Sequence, residues 1–225
     1  MTKVSAASQK RSSYSSESMA RRRERVLEET RKLIAEAGYD GVTMRLLAER
    51  SEVASATLYN IYGNKETLIA TAVSELFEDQ MAHPNAEGVS GLDGTLARTR
   101  WIAGEIRRMP EYTRAMVTVY FSGSAENLVR DLLRRITTEA HRKLLESLRR
   151  KGGLLPWVDI DLLASMTANQ QYAAVHDWAI GKVPSEKLAD RQIYELLLAL
   201  SGVTTGDVGE DIRRRLAEAQ AALVG

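Results

Sequence analysis

The chain has 225 residues, 44% of them hydrophobic, enough for one large domain or for a small domain beside a medium one. It contains no cysteine, which excludes disulfides, thiolate metal sites and a cysteine nucleophile. The formal net charge of +1 conceals an asymmetry: residues 1–25 carry Lys3, Lys10, Arg11, Arg21, Arg22, Arg23 and Arg25 against only Glu17 and Glu24. That end is therefore net basic and the remainder net acidic. A basic end of this kind is either the electrostatic footprint of a nucleic-acid partner or a solubilising tail. No apolar run approaches the ~20 residues that a membrane span requires, and the N-terminus lacks the apolar segment of a signal peptide. A cytoplasmic protein with no membrane partner is expected.

In chain order, residues 1–18 are Ser-rich and aperiodic, which suggests a disordered basic arm. A first helix is expected over 19–37, with Val26, Leu27, Thr30, Leu33, Ile34 and Ala37 on one stripe and Gly38 placed to end it. The Tyr39-Asp40-Gly41 turn then leads into two short helices between 43 and 65. Thr43 is a good N-cap for the first of these and Ser55 for the second, because each side-chain oxygen can accept an orphan backbone N–H. Leu47, Ala48, Val53, Leu58 and Ile61 are expected to hold the pair together, leaving Ser55, Ala56, Thr57, Tyr59 and Asn60 on the open face. A short helix with that face fits the major groove of B-DNA, about 12 Å wide. The stretch reads as a helix-turn-helix whose second helix, 55–62, does the reading. Gly63 breaks the pattern, and Asn64 caps a fourth helix over 64–81 carrying Leu68, Ala72, Val73, Leu76 and Phe77.

Composition changes after this point. Residues 84–91 read as a loop from their Pro, Asn and Gly content. Helices are expected at 92–109, 110–121, 125–151, 160–180, 184–200 and 207–223, punctuated by Pro110, Ser122-Gly123, Gly152-Gly153, Gly181 and Gly202. Pro110 and Pro184 suit first-turn positions, and Asp159 is a ready N-cap. There is no alternating β pattern and no internal repeat, so the fold class is all-α, with about ten helices.

Residues 19–68 resemble the DNA-binding domain of the TetR family of transcriptional regulators. The resemblance lies in Val26-Leu27, Leu33-Ile34, Gly38-Tyr39, Thr43, Leu47-Ala48, Val53, Thr57-Leu58-Tyr59, Tyr62, Lys65-Glu66 and Leu68, in one gapless run. It implies an N-terminal three-helix DNA-binding domain over 19–66 and a larger helical domain over 67–225 for ligand binding and dimerisation. Members of the family usually carry Gly where this chain has Glu52, Ser where it has Ala54 and Gly where it has Ala56. A left-handed backbone at Glu52 would cost ~1 kcal/mol.

Arg45, in the first turn of the second helix, matches a position that can reach a base edge in such regulators. Arginine forks onto guanine, although a phosphate contact or a solvated charge fits equally well. Thr43, Thr57, Tyr59 and Lys65 resemble the family's phosphate-contacting set, Asn60 could read adenine or hold a phosphate, and Ala56 could touch a thymine methyl. Arg22, with its neighbours from Arg21 to Arg25, could follow the DNA backbone or form a solvated helix start. Tyr62, Leu58 and Leu47 belong to the small core.

A reading helix this short is selective only when paired, so a homodimer on a palindromic operator is expected. Small and apolar residues on more than one face of 160–180 and 194–200 (Ala164, Ala168, Ala173, Ala174, Leu196, Leu197, Leu198, Leu200) suit either an interface or a monomer core. The resemblance favours a two-fold four-helix interface.

A small-molecule effector would occupy the C-terminal domain. Trp101, Met109, Tyr112, Met116, Tyr120, Phe121, Met166, Gln170 and Tyr172 describe the walls of an effector pocket or, as readily, an ordinary core. His176 could orient a ligand or lie at the dimer seam. The run from Trp178 to Glu186 faintly resembles family branches that control lipid, acyl-CoA or sterol breakdown. Alternatives are a DNA-binding factor without an effector and an all-α enzyme. For the enzyme the sequence offers only the scattered His83, His141 and His176, with no Gly-rich phosphate loop and no paired metal ligands. No catalytic residue, cofactor or metal is expected.

Overall fold

The computed structural model describes residues 4–81, 91–121 and 128–224, and these form ten helices with no strand among them. The first four are α1 (Val4–Gly41), α2 (Met44–Ser51), α3 (Ser55–Tyr62) and α4 (Lys65–Met81). They are followed by α5 (Gly91–Arg108), α6 (Pro110–Phe121), α7 (Leu128–Arg150), α8 (Ile160–Ala179), α9 (Leu188–Ser201) and α10 (Gly206–Val224). The expected loop at 84–91 lies almost wholly outside the described residues, as does the Ser122-Gly123 stop.

Helix α1 starts well before residue 19 and takes in most of the stretch expected to be a disordered arm. No Gly or Pro occurs before Gly38, so nothing in the covalent chain stops the helix from extending. Gly38 does interrupt it: its φ of 70° and ψ of 177° are non-helical, a conformation open to a residue without Cβ, and one further turn carries the chain to Gly41. The buried stripe of α1 is Val26, Leu27, Thr30, Leu33 and Ile34, whereas Ala37 is exposed. Buried Thr30 keeps its hydroxyl satisfied by donating to the Val26 carbonyl at 2.7 Å.

Leu27, Leu33, Ile34, Leu47, Leu58, Leu68 and Ile69 are fully buried together. Removal of each from water contributes about 1.5–3 kcal/mol. This cluster does not stop at residue 66. It continues without a break into Tyr112, Met116, Val119 and Tyr120 of α6 and Val129, Leu132 and Leu133 of α7. Helix α6 lies on α1, so the N-terminal unit and the body of the molecule share one apolar core.

A second cluster joins α5, α7, α8, α9 and α10 through Leu144, Leu145, Leu148, Leu163, Leu197, Leu200 and Ile212. A third joins α5, α6, α8 and α9 through Ala103, Ile106, Val117, Val175, Trp178 and Leu188. Gly153 permits the turn before α8 to approach α10, because a Cβ there would come within 2.6 Å of the Val208 side chain. Pro110 opens α6 as expected. Pro184 does not open α9: it begins a turn, with the Lys187 N–H on its carbonyl at 3.0 Å, and the helix starts at Leu188.

Candidate nucleic-acid interface and effector cavity

Helices α2 and α3 are positioned by their caps and by the turn between them. The Thr43 hydroxyl accepts from the Leu46 N–H at 3.2 Å, the cap expected for α2. At the far end Glu52 adopts the left-handed conformation (φ 53°, ψ 44°), the one non-glycine residue with positive φ among the described residues. Its N–H closes the helix by pointing at the Ala48 and Glu49 carbonyls, and its carboxylate meets Arg25 of α1 at 3.5 Å. The turn therefore keeps its tight geometry without glycine, at a backbone cost of ~1 kcal/mol.

Two expectations for α3 are corrected. Ala54 occupies the N-cap position without a side-chain bond, and Ser55 is the first helical residue, so its hydroxyl does not cap. Ile61 is 61% exposed rather than buried between the helices, because Leu58 and Tyr62, one turn apart, form the inward stripe of α3 and Ile61 lies outside it. What α3 presents outward is Ser55, Ala56, Tyr59 (54% exposed), Asn60 and Ile61, with Thr57 half-buried. Thr43 and Arg45 are exposed at the start of α2, and so is Arg22 on α1.

The remaining basic groups are already engaged. Arg21 pairs with Glu17 at 3.8 Å, Arg23 with Glu75, and Arg25 with Glu52. Such exposed pairs are weak, so each arginine can exchange its acid for a phosphate at little cost. Lys65 opens α4, where Asn64 caps by accepting from the Thr67 N–H at 2.8 Å. Its ammonium lies 4.9 Å from the centre of the Tyr39 ring and 3.5 Å from the Tyr39 carbonyl. This holds the charge beside the reading helix.

Deeper in the molecule a cavity of about 130 Å³ lies among α4, α5, α6, α7, α8 and α9. Leu76 and Phe77 of α4 form part of its wall, as do Ile106, Met116, Leu133 and Ile136. Four of the residues singled out from sequence are in its lining: Met109, Tyr112, Met116 and Tyr172. The others are elsewhere. Trp101 is displaced by its neighbour Ile102, and Gln170 lines a smaller chamber of about 10 Å³ behind His141. Tyr120 stacks on Tyr172 at 3.9 Å and donates to Asn169 at 2.6 Å, while Phe121 meets His176 edge-on at 5.2 Å. Met166 points outward, 49% exposed.

Sequence reasoning missed Arg98, Thr99, His141 and Gln192, which supply polar groups to the cavity. A lone His or Gln on an amphipathic helix carries no signal until neighbouring helices enclose it. Burial pushes the His141 pKa down to about 4, the nearby Arg98 charge adding to the effect and the Gln171 amide opposing it. Burial likewise raises the Tyr112 hydroxyl far above its usual range, and its oxygen has no hydrogen-bond partner among the described residues.

Helix α8 has two faces. Leu163, Ala164, Thr167, Ala168, Ala174 and Val175 are spent within the chain, and so are Leu196, Leu197 and Leu200 of α9. Left outside are Leu162 (72% exposed), Met166, Asn169 and Ala173, at successive turns on one stripe of α8, with Leu198 (48% exposed) on α9.

Residues 26–72 match the family model described as bacterial regulatory proteins, tetR family. Over those residues the chain is similar to the TetR family. It is 32% identical over 130 residues to the HTH-type transcriptional repressor KstR of Mycolicibacterium smegmatis, covering 56% of this chain and 62% of that repressor. The match thus spans less than two thirds of the relative. Among solved structures, the fatty acid degradation regulator FadR from Bacillus halodurans superposes with a TM-score of 0.65 at 18% identity, covering 80% of this chain and 98% of that one. Thermus thermophilus FadR, a TetR-family transcriptional repressor solved in complex with lauroyl-CoA, superposes with a TM-score of 0.62 at 19% identity, covering 82% and 96%. These likenesses carry the TetR fold, a helix-turn-helix unit joined to a larger helical domain. The named relatives are regulators, not enzymes. Among the described residues no group of three or more His, Asp or Glu could hold a metal ion, and no helix is long and apolar enough to cross a membrane.

Proposed function

We propose that this chain is a TetR-family transcriptional repressor that binds a palindromic operator as a homodimer and is released by a small, largely hydrophobic effector. The observation that carries the reading is α3 itself: eight residues anchored inward by Leu58 and Tyr62, presenting small and polar groups to solvent. Arg45 and Asn60 read base edges, while Thr43, Thr57, Tyr59, Lys65 and Arg22 position the backbone. Ser55 and Ala56 sit where α3 enters the groove. DNA binding places the protein in the cytoplasm.

The outward stripe of α8 with Leu198 of α9 forms the two-fold interface, setting two reading helices about 34–36 Å apart on successive major grooves. The effector occupies the cavity between α4 and α9. Its present volume is comparable to the about 150 Å³ that accepts a benzene ring. A lipid, acyl or sterol-like ligand would therefore push the walls apart, and Leu76 and Phe77 put α4 in that wall. Tyr112 and Met116 belong both to the cavity lining and to the core shared with α1, so α6 is a second route to the reading helix. An effector shifts the equilibrium only by its differential affinity for the two arrangements.

Lauroyl-CoA, titrated against the protein bound to a selected operator, tests this reading. Two chains per duplex and a fall in DNA affinity with added ligand support it. Ligand binding that leaves DNA affinity unchanged favours a DNA-binding factor without an effector.

A further inference from the structure

Glu52 alone among the described non-glycine residues has a left-handed backbone, and it lies in the turn between the two helices of the helix-turn-helix. The contacts that close α2, to the Ala48 and Glu49 carbonyls, run through its own N–H, so glycine would make them equally well and without the strain. What the side chain adds is charge.

The Glu52 carboxylate meets the Arg25 guanidinium of α1 at 3.5 Å. The acids one turn along α1 from Arg25 are taken: Glu28 pairs with Lys32, and Glu29 with Lys32 and Arg50. Arg25 therefore rests against the turn rather than along its own helix. Both members of the pair face water, their side chains 46% and 78% exposed, so the pair is open to a phosphate. Arg22, one turn before Arg25, is exposed on the same side of α1. From Glu52 to Ser55 the chain spans at most about 11 Å, less than the major groove's width of about 12 Å.

Resting on the reading of α3 as the helix that enters the groove, we propose that Glu52 limits DNA affinity. With Ser55 in the groove, the Arg25–Glu52 pair lies beside a phosphate strand at its edge. Glu52 draws Arg25 from that strand and sets its own negative charge there, so the pair brings no net charge to the DNA. With Glu52 neutral, Arg25 brings one positive charge and releases about one counterion. Exposed pairs are weak, so the restraint is modest and fades as salt rises. It acts on phosphates, and it therefore sets how tightly DNA is held, not which bases are read.

Fluorescence anisotropy of the full chain on a labelled random-sequence duplex, titrated at several salt concentrations, tests the assignment. Glu52→Gln keeps the backbone N–H and the side-chain size and removes only the charge. It is expected to bind about threefold more tightly for each chain on the duplex, about tenfold for a dimer, and to steepen the salt slope by about one per chain. Glu52→Gln combined with Arg25→Ala again brings no net charge and is expected to return to the parent slope. Both positions are exposed, and circular dichroism verifies that the helices are retained. Glu52→Gln binding no more tightly than the parent, or more tightly with an unchanged slope, would overturn the assignment while leaving α3 as the reading helix. A slope that stays steep in the double variant would overturn it as well. A parent chain that binds no duplex even at low salt would overturn the DNA-binding reading, and this assignment with it.

Discussion

His141 makes the fold sensitive to mild acid, and the size of the effect can be worked out. Its ordinary pKa of 6.5 falls to about 4 in the folded chain, chiefly because burial penalises the charged ring. The folded value lies below the unfolded one, so the contribution is fully present above about pH 6.5 and is lost as pH falls toward 4. Between pH 7 and pH 5 the unfolded chain takes up most of a proton that the folded chain refuses. At about 1.4 kcal/mol per pH unit this lowers stability by ~2 kcal/mol, a sizeable part of the 5–15 kcal/mol typical of a domain. Most carboxylates stay ionised over that window, which separates the histidine from general acid unfolding. Urea unfolding midpoints at pH 7, 6 and 5 would measure the loss. In His141→Gln an amide N–H can still serve Thr167, but nothing titrates, so the slope should largely disappear. An equal loss in both proteins, or none in the parent, would show that His141 is not the acid-sensitive group.

Other expectations concern the DNA face, the dimer and the caps. Arg45→Ala should relax base preference by ~1–3 kcal/mol at one position, whereas Lys65→Ala should weaken all sequences and reduce the salt slope by about one; competition binding at several salt concentrations separates them. The double substitution Leu162→Asp with Leu198→Asp places charge on the outward stripe and should yield a folded monomer in analytical ultracentrifugation, with DNA affinity lost. Thr43→Ala removes the hydroxyl that caps α2 and should cost ~1 kcal/mol. Ser55→Ala, where no cap bond is made, should stay within ~0.5 kcal/mol; denaturant titration of the two variants makes the comparison.

Helix positions were largely legible because apolar periodicity, Gly and Pro are local signals. Residues 110–121 were read to the residue, and the Thr43, Asn64 and Asp159 caps are all present. The arm failed for the opposite reason: Ser-rich sequence without a stripe gave no sign of helix, yet lacked any breaker before Gly38. Ile61 departs from the expected packing because α3 turns the Leu58 and Tyr62 side of the helix inward, and Ile61 falls outside that stripe. The cavity was half legible. Aromatic and Met residues marked Met109, Tyr112, Met116 and Tyr172, but the same chemistry put Met166 on the outer stripe and Tyr120 in a stack beside the cavity. Which face of α8 turns inward depends on α6, α7 and α9 arriving together, and no local pattern encodes that.

Sequence-specific DNA binding by a two-fold dimer is tested most directly by incubating the purified chain with sheared DNA of its own organism near physiological salt and sequencing what it retains. A dimer that reads sequence retains a few fragments sharing a two-fold symmetric site with half-sites one helical turn apart. Uniform recovery across the genome, or none, would contradict it.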